Sequence, residues 1–410
     1  MKRLLVLTPA SVGSSTAVTA PTFWYTMNKF VERGWDIQIV CANDRLTERC
    51  TEDTTNPGVR IFRCRIPLRK LMNKRIIWRI ASCIQCPFYN RTFFRMGERL
   101  IRENGYTPED TVIYADDAYA IHAGKRLSRK YGMKLVTRFC GTTMCGKKNT
   151  FLNRLHFYPH LQALGTKADL VIMTDDGTKG DEVLKEVKNQ SPKQVFWRNG
   201  VNFAPKSAER PALLAALPEN ERILMTLCRL QDWKHVDRAI SALGVLHEKY
   251  PNTTLVVCGY GPERENLETQ TKELGLADKV IFTGSIPHEE TGNYLSNADI
   301  FLSMYDLSNL GNPIFEAMRC ARPIVTINVG ATNTVIENEV NGLLLPPDHL
   351  EERIPAAIDR LFSDPELMKR ISEGAKAFAD KNFWTWDERT SAEEEAISEL
   401  LEQAQKEAKR

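Results

Sequence analysis

The chain has 410 residues, 42% hydrophobic and 26% charged, the proportions of an ordinary soluble globular protein. That excludes collagen-like, mucin-like and wholly disordered architectures. At one domain per roughly 100–200 residues it predicts two or three domains. The net charge of +3 conceals an asymmetry. Residues 1–200 hold 33 Lys and Arg against 18 Asp and Glu, a balance of +15, and the remainder holds 22 against 34, a balance of −12. A basic first half predicts an anionic partner, whether a membrane surface, an anionic acceptor or nucleic acid.

The opening MKRLLVLTPASVG has a very short apolar core and reads as a buried first strand rather than a leader peptide. No apolar run approaches the ~20 residues that span a bilayer, so a cytoplasmic location is expected. From residue 3, RLLVLT is a strand, followed by a loop containing Gly13. An amphipathic helix is predicted over about 21–33, stopped by Gly34, and then a second strand, WDIQIVCA. Strand runs return at TVIYA (111–115), KLVTRF (134–139) and DLVIMT (169–174). Residues 199–210, with Pro205, read as a linker.

The rhythm resumes with RILMTLC (222–228), TTLVVCG (253–259), KVIFTG (279–284), DIFLSM (299–304) and PIVTI (323–327), separated by helix-like segments. Strands alternating with such segments predict doubly wound parallel sheets. The fold class is therefore α/β. We expect two Rossmann-like domains, 1–200 and 201–383, facing a cleft, and a charged helix over 384–410.

Ten cysteines in a chain of this kind are expected to stay reduced. Cys83 and Cys86 form a CxxC, and Cys140 and Cys145 a CxxxxC, but no second CxxC or histidine spacing completes a metal site. Residues 63–95 carry Arg63, Arg65, Arg69, Lys70, Lys74, Arg75, Arg79, Arg91 and Arg95 with no acidic residue. Ile76, Ile77, Trp78, Phe88, Tyr89, Phe93 and Phe94 interleave with them. That mixture suits contact with an anionic membrane surface or acceptor, or equally a basic surface over ordinary core aromatics. No nucleic-acid motif accompanies it.

Arg229 follows a strand and Lys234 lies five residues on, so both cations fall at the carboxyl end of a sheet, where they suit a diphosphate. Gly259-Tyr260-Gly261-Pro262 allows tight turning and close backbone approach. It lacks the third glycine of a dinucleotide fingerprint. In Ser308-Asn309-Leu310-Gly311-Asn312-Pro313, a turn precedes a helix whose free N–H groups favour anionic or hydroxyl-rich ligands. Glu316 is expected in its first turn, where a carboxylate can accept two hydrogen bonds from a vicinal diol or simply cap the helix.

The segments CRLQDWKHVDRAI, VVCGYGPERENLE, VIFTGSIPHEE, NADIFLSMYDLSNLGNPIFEAMRCARPIV and ATNTVIENEVNGLLLPPDHLEE follow in order over residues 221–383. In this the chain resembles the retaining GT-B glycosyltransferases, in particular family 4. The N-terminal half resembles them more weakly, through the Gly13 loop and WRNGVN. The resemblance implies a UDP- or GDP-linked sugar as donor, no metal and no cofactor. Arg229 and Lys234 would hold its diphosphate and Glu316 its ribose. Gly259 and Gly261 would lie near base and ribose, and Gly13 near the diphosphate. The backbone of Asn309, Leu310, Gly311 and Asn312 would bracket the sugar and phosphates, and Leu307 to Asn312, Ser308 among them, would set donor preference together with Thr332 to Thr334. The tail helix would pack back on the N-terminal domain.

Asp116, Asp117, Arg138 and Cys140 are the acceptor candidates. Three positions depart from the family pattern: Ser308 replaces a Glu, Cys140-Gly141 a His-Gly, and Asp116-Asp117 a His-Asp. The implied activity is retaining hexosyl transfer to a carbohydrate or lipid-linked glycan, in envelope polysaccharide or lipopolysaccharide synthesis, on or near the inner membrane face. A catalytically degenerate partner subunit, a nucleotide-sugar epimerase and a glycoside phosphorylase share the fold and stay open.

Overall fold

A computed structural model of the chain describes residues 1–12, 21–43, 49–67, 78–142, 144, 150–202, 209–307 and 310–409. Gly13, Ser308, Asn309, Cys145 and the basic positions Arg69, Lys70, Lys74 and Arg75 lie outside them. Two compact units result: Met1–Asn199 with Asp387–Arg410, and Gly200–Trp386. The sequence divisions were expected after residues 200 and 383.

The first unit contains β1 (Arg3–Thr8), β2 (Asp36–Asn43), β3 (Cys50–Asp53), β4 (Val59–Arg65), β5 (Thr111–Asp116), β6 (Lys134–Phe139), β7 (Leu170–Thr174) and β8 (Lys193–Trp197). They form one sheet in the order β3-β4-β2-β1-β5-β6-β7-β8. Only β3 runs antiparallel. Both faces are covered, and β1 shows the period of two that this requires. Leu5 and Leu7 enter one core, with Phe93, Ile121 and Leu127. Leu4 and Val6 enter the other, with Trp24, Phe30 and residues Ile397 and Leu401 of the tail. The predicted helix at 21–33 is Pro21–Glu32, stopped by Gly34 at φ 78°.

The strands β3, β4 and β8 escaped the sequence reading. β4 is VRIFRCR and β8 is KQVFW, so charged and polar side chains interrupt their apolar runs. The helix Trp78–Glu103 also corrects an expectation. Tyr89 and Phe93 are buried in the core, and Phe88 and Phe94 pack against it. These aromatics form the apolar stripe of a sheet-covering helix, so they are not a membrane-facing girdle. Arg91 and Arg95 project from the same helix and are exposed.

The second unit contains β9 (Arg222–Leu227), β10 (Thr253–Cys258), β11 (Val280–Gly284), β12 (Ile300–Ser303), β13 (Ile324–Ile327) and β14 (Leu343–Leu345). Its sheet is parallel throughout, in the order β11-β10-β9-β12-β13-β14. Leu224 faces one core and Ile223 and Met225 the other. No described helix is long and apolar enough to cross a membrane.

The tail helix, Trp386–Ala408, joins the first unit from Asp387 onward. Its acidic residues meet that unit's surplus of cations. Lys29 pairs with Asp387 at 2.5 Å, Lys193 with Glu399 at 2.7 Å and Lys134 with Glu407 at 2.9 Å. Each such exposed pair contributes at most about 1 kcal/mol. The burial of Ile397, Leu400 and Leu401 holds the helix more firmly.

Candidate functional site

In each sheet one strand marks the place where the strand order reverses. In the second unit β9 has β10 on one side and β12 on the other; in the first, β1 lies between β2 and β5. Ligands of open α/β sheets bind beyond the carboxyl ends of the strands at such a point. In the second unit the two loops concerned are those after β9 and β12. They contain Arg229 and Lys234 on one side, and residues 304–312 on the other.

Lys234 ends the short 3-10 turn Asp232–Lys234. Its ammonium lies 3.5 Å from the centroid of the Tyr305 ring and 3.9 Å from that of Trp233. Ring faces stabilise a cation without occupying its N–H donors as a carboxylate would. Burial lowers Lys234 to about 8; Cys228 opposes that shift and Arg229 adds to it. Arg229 is exposed. Neither cation has a carboxylate partner among the described residues.

The turn is clasped to the loop after β12. The Asp306 N–H donates to Trp233 O at 3.0 Å. The Asp306 carboxylate pairs with Arg238 at 2.8 Å and lies 2.5 Å from His235 Nε2. The anchoring carboxylate thus serves Arg238 and His235 and leaves Lys234 free of it.

The packing of the loop explains the glycines at Gly259 and Gly261. Gly259 has φ 145°, and a Cβ there would lie 1.8 Å from Cys228 O. At Gly261 a Cβ would lie 2.0 Å from Leu230 O. The glycine loop is pressed against the backbone of residues 228–230, and Leu230 N donates to Tyr260 O at 3.1 Å. Glycine is required here because two loops pack backbone to backbone. Its effect is to brace the segment that carries Arg229.

The helix after β12 is Asn312–Arg319, with Gly311 as N-cap and Pro313 in its first turn. Glu316 is its fifth residue, so it stands in the second turn, beyond the orphan N–H groups of the helix start. Its partner is His288, which the sequence reading did not single out. The two approach to 3.3 Å, with 14% and 32% of their side chains exposed. The hydrogen bond to Glu316 raises the His288 pKa against the opposing effect of burial. His288 follows β11 and reaches Glu316 because the helix Thr291–Ser296 packs against Asn312–Arg319. No spacing in the chain signals that meeting.

Leu310 is buried in the core of the unit. Thr332 is fully buried, and its hydroxyl donates to Val329 O at 2.6 Å. Both side chains are therefore directed into the protein, which leaves the Leu310 backbone as the part of that residue expected beside the donor.

In the first unit the four acceptor candidates do come together, at the carboxyl ends of β5 and β6. Their accessibility divides them. Asp116 is buried, accepts from Thr8 Oγ1 at 2.9 Å, and is raised to about 6 by burial, which Arg138 opposes. Arg138 is also buried, 3.9 Å from Asp116 and 3.9 Å from Glu393 of the tail helix. Glu393 accepts from Tyr114 Oη at 2.5 Å and from Arg389 at 2.8 Å. Against the burial that opposes its charge, Arg389 and Arg138 hold its carboxyl below the usual range. Asp116 and Arg138 are thus closed into a buried charge cluster and do not line a surface.

Asp117 and Cys140 are exposed. Asp117 has φ 67° and ψ 163°, and its carboxylate caps Ala118 N at 2.5 Å. That backbone region is costly for any residue with a Cβ. Gly141, at φ 97°, has no room for a Cβ beside the Asp176 carboxylate.

Residues 214–378 match the model of the family described as glycosyl transferases group 1. The chain is 31% identical over 216 residues to alpha-D-kanosaminyltransferase of Streptomyces kanamyceticus, covering 51% of this chain and 55% of that one. It spans about half the length of the curated relatives it matches. Among solved structures it is similar to sucrose-phosphate synthase from Thermosynechococcus elongatus, with a TM-score of 0.74 and 20% identity over 98% of this chain and 99% of that chain. It is also similar to Anabaena Alr3699/HepE in complex with UDP, with a TM-score of 0.69 and 18% identity over 97% and 100% of the two chains. The chain has the fold of the GT-B glycosyltransferases, and its residues 214–378 match the glycosyl transferases group 1 family.

Proposed function

We propose that this protein transfers a hexose-type sugar, with retention, from a nucleoside diphosphate sugar to a carbohydrate or lipid-linked glycan. The carrying observation is the pair Arg229 and Lys234, braced at the strand reversal of the family-matched unit and without a carboxylate partner among the described residues. Its neighbour from Anabaena is described in complex with UDP, which supports UDP as the first nucleotide to try, with GDP next.

In this reading Arg229 and Lys234 meet the diphosphate and take up the charge that grows on it as the glycosidic bond breaks. The acceptor hydroxyl attacks from the face the diphosphate leaves, and a diphosphate oxygen takes its proton. The remaining work of the chain is positioning. Glu316, oriented by His288, accepts hydrogen bonds from the ribose diol. Gly311 and Asn312 present backbone to the sugar and phosphates, and no metal is required where two side-chain cations serve. Asp117 and Cys140 are the exposed acceptor-side candidates. Envelope polysaccharide or lipopolysaccharide assembly is the proposed setting. An anionic membrane surface remains the proposed partner of the first unit, supported by Ile84, Phe151 and Leu155, large apolar side chains that are exposed on it.

Calorimetric titration of UDP, GDP, ADP and their sugar conjugates into wild type and Glu316→Ala tests the donor site. One nucleotide should bind at micromolar concentration and lose about tenfold or more in the variant. A folded protein that binds none of them overturns the reading and favours the degenerate partner subunit.

A further inference from the structure

The first unit contains a cavity of about 650 Å³ outside the strand ends described above, a volume typical of small-molecule sites. Three helices wall it. Cys83, Asn90, Arg91, Phe94, Arg95 and Glu98 come from Trp78–Glu103, His122 and Arg126 from Ala118–Tyr131, and Tyr158 and Gln162 from Tyr158–Leu164.

Its charge is unbalanced. Arg91 and Arg95 stand four residues apart on one helix, a like-charge spacing that destabilises a helix unless something neutralises it. Neither makes an ion pair or side-chain hydrogen bond among the described residues. Arg126 is laid over the Phe94 ring at 4.0 Å, which fixes its plane. Glu98, the one carboxylate in the wall, is already held by Lys130 and, at 3.5 Å, Arg102. Burial and the cations Lys125, Arg126 and Arg129 lower His122.

A cavity of about 530 Å³ in the second unit provides the contrast. There Arg322 donates to Cys320 O and Ala298 O, and Lys376 pairs with Asp380. Among the described residues the three arginines of the first cavity have no such partners, and in the second only Lys369 is without one. Its wall also holds a buried polar group in need of one. Asn90 is only 8% exposed, and its Oδ1 has no hydrogen-bond partner among the described residues, while its Nδ2 donates to Cys86 Sγ at 3.3 Å. A buried acceptor left unpaired costs about 1–3 kcal/mol, and a turn of the amide toward the cavity would let a ligand hydroxyl satisfy it.

We propose that this cavity binds a phosphorylated polyol, its phosphoryl group on Arg91, Arg95 and Arg126 and a hydroxyl on Asn90 Oδ1. A phosphoryl dianion neutralises two guanidinium groups and offers three oxygens to their forked N–H donors. The requirement for a neighbouring hydroxyl restricts the class to sugar phosphates and polyol headgroups. The site is distinct from the donor site and stands or falls independently of it.

The test titrates inorganic phosphate, glucose 6-phosphate and glucose into the full chain, and floats it with phosphatidylglycerol and phosphatidylcholine vesicles. Wild type, Arg91→Gln/Arg95→Gln and Asn90→Ala are compared, with thermal unfolding to verify folding and UDP titration to monitor the donor site separately. Glucose 6-phosphate should bind more tightly than inorganic phosphate, and glucose should not bind. The double arginine variant should lose about a hundredfold, near tenfold per charge-assisted contact. Asn90→Ala should narrow the preference of glucose 6-phosphate over inorganic phosphate by about tenfold, and UDP binding should be unchanged in both. Flotation with phosphatidylglycerol alone, lost in the same variants, would assign the phosphoryl group to a lipid headgroup. Absence of binding in both arms, or binding that the folded variants retain in full, overturns the proposal.

Discussion

The two strand reversals of this molecule carry charge at the same edge of similar sheets, and they treat it in opposite ways. In the second unit Arg229 and Lys234 are kept apart from carboxylates, because Asp306 engages His235 and Arg238 instead. In the first unit Arg138 is enclosed with Asp116 and with Glu393, which arrives from a helix far along the chain. Topology brings ionisable groups to the strand ends in both. What the rest of the chain supplies decides whether a group stays available to a ligand or becomes part of the core.

Removing Glu393 should break the closed side most severely. Glu393→Ala leaves Arg138 and Arg389 buried without their shared carboxylate, and such a loss costs about 3–5 kcal/mol. Denaturant unfolding monitored in Glu393→Ala and Glu393→Gln reads it. A change under about 1 kcal/mol would show that the cluster adds little and that the contrast is geometric only.

The open side should break in function rather than stability. Arg229→Ala and Lys234→Ala should each cut turnover about 10²- to 10³-fold, the usual cost of removing one preorganised charge-stabilising donor. The melting temperature should barely move. Normal turnover in both variants would detach these cations from the diphosphate.

The buried amine adds a pH dependence with a defined sign. Burial first of all, with Arg229 adding to it, puts Lys234 at about 8 in the free protein. Below pH 8 the side chain is a cation, and above it the neutral form prevails. A diphosphate favours the cation, so binding must take up a proton above pH 8. Nucleotide affinity should then be level from pH 6 to 7.5 and fall by up to about tenfold per pH unit above about 8. Calorimetry in two buffers of different ionisation enthalpy detects the uptake, and Lys234→Arg should flatten the profile.

The smallest expected effect sharpens the role of Glu316. His288→Ala removes an orienting contact at 3.3 Å that is a third exposed on the histidine side. Nucleotide binding should weaken about threefold, the cost of a modest hydrogen bond, and His288→Gln should restore part of it. An effect as large as that of Glu316→Ala would mean that the histidine itself meets the ligand.

Much of this architecture is legible in one dimension. RLLVLT is the strand β1 without adjustment and DLVIMT is β7 from its second residue, because a strand buried on both faces needs a nearly unbroken apolar run. Arg229 and Lys234 could be placed at a strand end for the same reason: the strand before them is plain. β4 and β8 were hidden because the outer strands of a sheet tolerate polar side chains, which blur the run. The aromatics near residue 90 were ambiguous because a basic helix over a core and one on a membrane have the same composition.

The sequence by itself determined two α/β sheets, parallel but for β3, and placed Arg229 and Lys234 just past the carboxyl end of β9. These follow from local periodicity and from loops that come directly after their strands. Only the tertiary structure decided which charges are free. Glu393 reaching Arg138, His288 reaching Glu316, and Arg126 lying on Phe94 beside Arg91 and Arg95 each join side chains from different elements. Burial and pairing are properties of the packed solid, and no spacing along the chain encodes them.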